Sequence, residues 1–138
     1  MKSKREHIYE KYHGHCAYCG KVITMKEMQI DHVIPKIGFL RTVANKYRIP
    51  EFLKHLTVSD LDHIDNLFPS CRRCNFYKGG GDIELYRERM RTIRSRIEKP
   101  FIVKVAGDYG LIEWKEWSGL FYFESLAGEV EKLEKPNQ

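Results

Sequence analysis

The cysteines stand in two pairs of the same spacing, Cys16-Ala17-Tyr18-Cys19 and Cys71-Arg72-Arg73-Cys74. Thiolates two residues apart can reach one ion, and two such pairs make the tetrahedral sulfur set that zinc adopts in closed structural sites. Gly20 follows the first pair and gives a tight knuckle the unusual φ it needs, so that backbone N–H groups can point at sulfur. The 51 residues between Cys19 and Cys71 exceed the usual ribbon loop. The pairs are therefore expected to clamp an inserted unit rather than to close an independent finger. A redox dithiol would want a βαβ context, which the pattern lacks.

Between the pairs lies Ile30-Asp31-His32-Val33-Ile34-Pro35-Lys36, and around the second pair lie Asp65-Asn66-Leu67 and Asn75-Phe76-Tyr77-Lys78-Gly79. Adjacent strand residues point to opposite faces, so Asp31 and His32 can serve one site only where the strand ends or bends. Pro35 marks such an end. Asp-His pairs also arise by chance; Asp62-His63 is a second one in this chain. Position between the knuckles, with Asn75 as partner, sets Asp31-His32 apart. His7, His13, His15, His55 and His63 read as surface or knuckle-lining residues.

The elements that must hold these groups follow from periodicity. Ile8, Tyr9 and Tyr12 repeat at helical spacing over residues 3–13. Val22-Ile23 and Met28 to His32 read as short strands. Residues 37–64 read as a mostly helical insertion, with one helix through Phe39, Val43 and Tyr47 and another opened by Pro50. After Gly79-Gly80-Gly81, Asp82 is a natural N-cap for a helix over 82–99 whose stripe is Tyr86, Met90, Ile93 and Ile97; Pro100 closes it. Phe101 to Tyr109 fits a short helix or a strand, and Leu120 to Glu124 a strand. The tail from Gly128 is polar and expected to fray. The class is α+β. One unit spans 1–99, and a C-terminal, strand-containing extension over 100–138 packs on it.

The net charge of +5 is concentrated. Arg72 to Lys99 holds nine basic residues against four acids, and residues 100–138 are net negative. One localised basic face suits a polyanion. The first residues, Met1 to His7, are charged, and no run approaches the ~18 apolar residues of a membrane span. A cytoplasmic protein with reduced thiols is expected, which again favours metal over disulfides.

Taken together, Cys16-Ala-Tyr-Cys-Gly, Ile-Asp31-His32-Val-Ile-Pro-Lys36, Asp-Asn66-Leu and Cys71-Arg-Arg-Cys74-Asn75-Phe-Tyr-Lys78-Gly resemble the zinc-containing HNH endonucleases, over about residues 12–85. The resemblance implies a ββα-metal (His-Me finger) core. It also implies His32 as general base, Asp31 and Asn75 as ligands of a catalytic ion, and Asn66 as the residue that shapes the loop between the two strands. Asn rather than His stands at the third signature position, a common variant of the family.

Such chemistry is coherent. Phosphodiester hydrolysis needs a deprotonated water and a cation to neutralise charge on the phosphoryl group. Imidazole is the side chain suited to take that proton near neutral pH. Two oxygen ligands leave most positions of Mg²⁺ or Mn²⁺ for water and phosphate. The expected cofactors are thus zinc in the cysteines and Mg²⁺ or Mn²⁺ at the site, with no small-molecule cofactor. The expected partner is DNA, in duplex form. Lys36, Arg72, Arg73, Lys78, Arg87, Arg91 and Arg94 are the candidate phosphate contacts. Oligomeric state stays open: nicking both strands takes a dimer or two encounters.

Overall fold

A computed structural model describes residues 1–127, so the polar tail expected to fray from Gly128 lies outside the described residues. The chain is α+β. Helix α1 (Lys4–Glu10) is capped by Ser3, whose hydroxyl accepts from the Glu6 N–H. Its Ile8 is fully buried. Among the described residues the sheet is one antiparallel pair, β1 (Gln29–His32) and β2 (Leu67–Ser70), with Asp31 opposite Phe68 and His32 opposite Leu67. Val22 makes only an isolated bridge to His15 in place of the expected strand.

Between the strands, α2 (Phe39–Asn45) buries Phe39 and Val43. The helix expected after Pro50 shrinks to a 3₁₀ turn over Glu51–Leu53. Of Phe52, Leu53 and Leu56, whose spacing predicts one inward face, Leu53 and Leu56 go into the core and Phe52 stays 42% exposed. Bidentate pairing of Arg48 with Asp82 ties this insertion to the start of the helix beyond α3.

Helix α3 (Arg72–Lys78) begins at Cys71 itself, whose sulfur accepts from the Cys74 N–H at 3.3 Å as an N-cap. The long helix expected over 82–99 is two: α4 (Ile83–Arg91) and α5 (Ile93–Ile97), broken at Thr92. The Thr92 hydroxyl donates to the Arg89 carbonyl there, the back-bonding that bends helices at threonine. Pro100 opens α6 (Phe101–Asp108), which settles that segment as helix. The strand expected at Leu120 to Glu124 is not one, since residues 122–127 are helical. The Glu124 carboxylate accepts from the Phe121 N–H, so a capping interaction outweighs the strand propensity of the aromatic run. The C-terminal extension therefore adds helices, not strands, to the described residues.

One aromatic cluster joins these parts. Phe68 of β2 meets Tyr12 edge-on (ring centroids 5.3 Å apart), Phe123 (4.8 Å) and Phe52 (5.8 Å). Tyr86 of α4 and Phe121 pack at 4.9 Å, both against Tyr18 of the first knuckle. No helix among the described residues is long and apolar enough to cross a membrane.

Candidate metal centre and basic groove

The first knuckle is closed by its own backbone. Cys16 N–H donates to Lys21 O and Gly20 N–H to Cys16 O, with Gly20 at φ +80°. Gly20 is also held against the Tyr122 ring, where a Cβ would come within 2.8 Å of a ring carbon, so two constraints require glycine there. The Ala17 N–H donates to Pro69 O and brings this knuckle to the end of β2, where the second one starts.

The result is a cluster in which the sulfurs of Cys16, Cys19, Cys71 and Cys74 all lie within 4.8 Å of one another, with Cys19 and Cys71 at 3.9 Å. Four sulfurs at about 2.3 Å from a central zinc stand about 3.8 Å apart, so the set fits an ion such as zinc. All four are unbridged, and only Cys19 reaches solvent. Hydrogen bonding with Cys19 and Cys74 holds the Cys16 thiol far below the usual thiol range; the same contact with Cys16 drives Cys74 far above it. Sulfurs so close share protons unevenly unless a cation takes them all as thiolates.

Asp31 and His32 divide as adjacent strand residues must. Asp31 turns toward α3 and is buried, accepting hydrogen bonds from the Tyr18 hydroxyl and from Lys78 Nζ, which lies 3.2 Å from Oδ2. Burial raises the Asp31 carboxyl above its usual range, and the Lys78 ammonium opposes the rise. Burial also lifts the Tyr18 phenol well above its usual value, with the Asp31 carboxylate adding to the effect. His32 ends the strand and turns the other way, placing Nε2 2.8 Å from Oδ1 of Asp62. A carboxylate can only accept, so in the neutral ring Nε2 carries the proton and Nδ1 keeps its lone pair. That contact lowers the Asp62 carboxyl.

Asn66, wholly buried, spans the two ends of the insertion. Its Oδ1 accepts from the Ile34 N–H at 2.8 Å, and its Nδ2 donates to Ile34 O (3.2 Å) and Leu61 O (2.9 Å). Replacing Asn66 with alanine strands these three backbone groups out of water. The expected loss is about 2–4 kcal/mol, read from the urea midpoint; a loss below about 0.5 kcal/mol would show that the loop holds itself.

Asn75, half-buried on α3, opens onto a groove lined by Lys21, Lys26, Arg72, Arg73 and Phe76. Lys36 is exposed near Asp62. Two expected phosphate contacts do not belong to this surface. Lys78 is only 1% exposed, because it is the counter-ion of Asp31 and also donates to the His32 carbonyl. Arg87 is buried between Glu84 and Glu124, a pairing that raises its already high pKa. Of the other two helix arginines, Arg91 is exposed beside Glu88, and Arg94 pairs with Glu98 over the Trp114 ring. The cations that line the groove with Asn75 are thus Lys21, Lys26, Arg72 and Arg73, and none of them comes from α4 or α5.

Sequence reasoning missed Tyr18, Asp62 and the true role of Lys78. A signal existed for Lys78, which lies one helical turn past Asn75 and so on the same face of α3. Nothing in the spacing marks Asp62. His55, His63 and Asp65 also gather, but each ligand atom has a protein partner: His55 Nε2 lies 2.8 Å from Asp65 Oδ2, and His63 Nδ1 accepts from the Asp65 N–H. No family model, curated protein or solved structure matches the chain.

Proposed function

We propose that the protein is a metal-dependent DNA endonuclease of the zinc-containing HNH kind, with a ββα-metal core, cutting phosphodiester bonds to leave 5′-phosphate and 3′-hydroxyl ends. The observation that carries this reading is the packing of α3 on the Asp31 side of β1, as seen in the Lys78–Asp31 pair. It puts Asn75 at the rim of a cation-lined groove, directly after a cysteine of the four-sulfur cluster.

In this reading zinc fills the cysteines and sets the start of α3. Asp31 and Asn75 would hold Mg²⁺ or Mn²⁺. The donor set suits such an ion: Asn75 offers an amide oxygen, and a carboxylate has about four acceptor sites, so Tyr18 and Lys78 leave Asp31 room for one more bond. When bound, that ion neutralises charge gathering on the phosphoryl group. His32 would accept the proton of the attacking water at Nδ1, while Asp62 holds the ring by Nε2, as a carboxylate orients a catalytic imidazole elsewhere. Lys21, Lys26, Arg72 and Arg73 would draw in the phosphate backbone.

One observation favours a second reading, a non-cleaving zinc-stabilised DNA-binding module: a protein ammonium already neutralises Asp31. Plasmid nicking in Mg²⁺ separates the two. Wild type is expected to convert supercoiled to open-circular DNA, and His32→Ala to be slower by about 10²–10⁴-fold. Zinc-loaded protein freed of Mg²⁺ should not cut. Equal rates for wild type and His32→Ala would remove the hydrolytic assignment and leave the binding module.

A further inference from the structure

We propose that Phe76 is a base-stacking platform, so that the groove beside Asn75 takes DNA presenting an unpaired nucleotide, as a single strand or a strand displaced from a duplex. The inference rests on the nucleic-acid reading of that groove and names its substrate class. Phe76 is 86% exposed, although it sits in the middle of a helix whose neighbours at Cys74 and Lys78 are buried. Arg72 and Arg73 precede it by four and three residues, so all three project from one face of α3. Lys21 and Lys26 line the same groove. Its acid, Glu27, is engaged locally, accepting from the Thr24 N–H at 3.1 Å.

A lone apolar ring among four cations is poorly suited to an apolar protein surface, which would have to desolvate all four charges. It is well suited to single-stranded nucleic acid, which offers phosphates to the cations and a bare π-face to the ring. A duplex hides its base faces in the stack and meets such a groove through phosphates alone. Each stacked base contributes sequence-independently, so the platform selects for unpaired character rather than for a base.

Binding without cleavage tests this. His32→Ala protein, zinc-loaded and in buffer free of Mg²⁺ and Mn²⁺, is titrated at fixed salt with a labelled oligo-dT strand and with a blunt duplex of equal length. Adding Phe76→Ala is expected to weaken oligo-dT about 5- to 100-fold and the duplex less than about twofold, since the cations remain. Phe76→Trp should restore strand binding, with indole fluorescence quenched by the stacked base. Equal losses on both DNAs, or no loss on either, would overturn the proposal. The nuclease assignment stands or falls separately: a protein that prefers strands through Phe76 but never nicks keeps the platform, and one that nicks without this preference loses it.

Discussion

Stripping the metal from the four-cysteine cluster is expected to unfold the protein, not merely to loosen it. The cluster is where the first knuckle, the end of β2 and the N-cap of α3 meet, so every element that places Asp31, Asn75 and the groove depends on it. Structural zinc in small cysteine sites contributes about 10–16 kcal/mol, whereas a whole domain of this size is stable by only about 5–15 kcal/mol. Cys71→Ser separates the metal from the local fold, because serine still caps α3 while losing the thiolate. The expected result is loss of far-UV circular dichroism and of a cooperative melt, in parallel with release of about one zinc per wild-type chain on chelation. Native dichroism and an unchanged melt after the ion has left would sink the structural role of zinc.

The second large effect is expected at Lys78. Its ammonium is enclosed with the Asp31 carboxylate, and Lys78→Met keeps the aliphatic stem while leaving that carboxylate without a counter-ion. Breaking one side of a buried pair destabilises by about 3–5 kcal/mol. The sign of the pH dependence follows. Folded Asp31, already raised by burial, then holds its proton to still higher pH than it does in the unfolded chain. The folded state binds more protons through that window, so stability is fullest below the ordinary aspartate range and falls as pH rises through the folded value. Denaturant midpoints of Lys78→Met should therefore drop as pH rises above the ordinary aspartate range in Mg²⁺-free buffer, and adding Asp31→Asn should abolish the slope. A flat profile in the single variant would mean that Tyr18 and water suffice for Asp31.

The sequence was most legible where one residue type has few uses. Paired cysteines with a following glycine specified a four-sulfur cluster and a tight knuckle, and both are there. The acidic cap at Asp82 was readable for the same reason, whereas Pro100 was compatible with a helix or a strand after it and only the structure decides for helix. Extended aromatic runs were not. Leu120 to Glu124 has the composition of a strand, yet a single carboxylate bond to the Phe121 N–H and contacts with Tyr18 turn it into helix. Charge was the least legible property. Nine cations between Arg72 and Lys99 suggested one continuous track, but a long basic side chain is equally a tool for neutralising a buried acid. Lys78 and Arg87 are used that way, and only tertiary contacts distinguish the two uses. The strand alternation at Asp31-His32 was readable as a difficulty, and the structure keeps it: the carboxylate faces α3 and the imidazole faces Asp62.

The amides of Tyr122 and Phe123 donate to the carbonyls of Tyr18 and Ala17, in the interior of the first knuckle. Synthesis from the N-terminus thus delivers the strap that closes over the sulfur cluster only after the rest of the core has emerged. Cutting the chain after Lys99 would bare the rings of Tyr18, Phe68 and Tyr86 together, so the junction at residue 100 marks a change of composition and not a place where the protein can be divided.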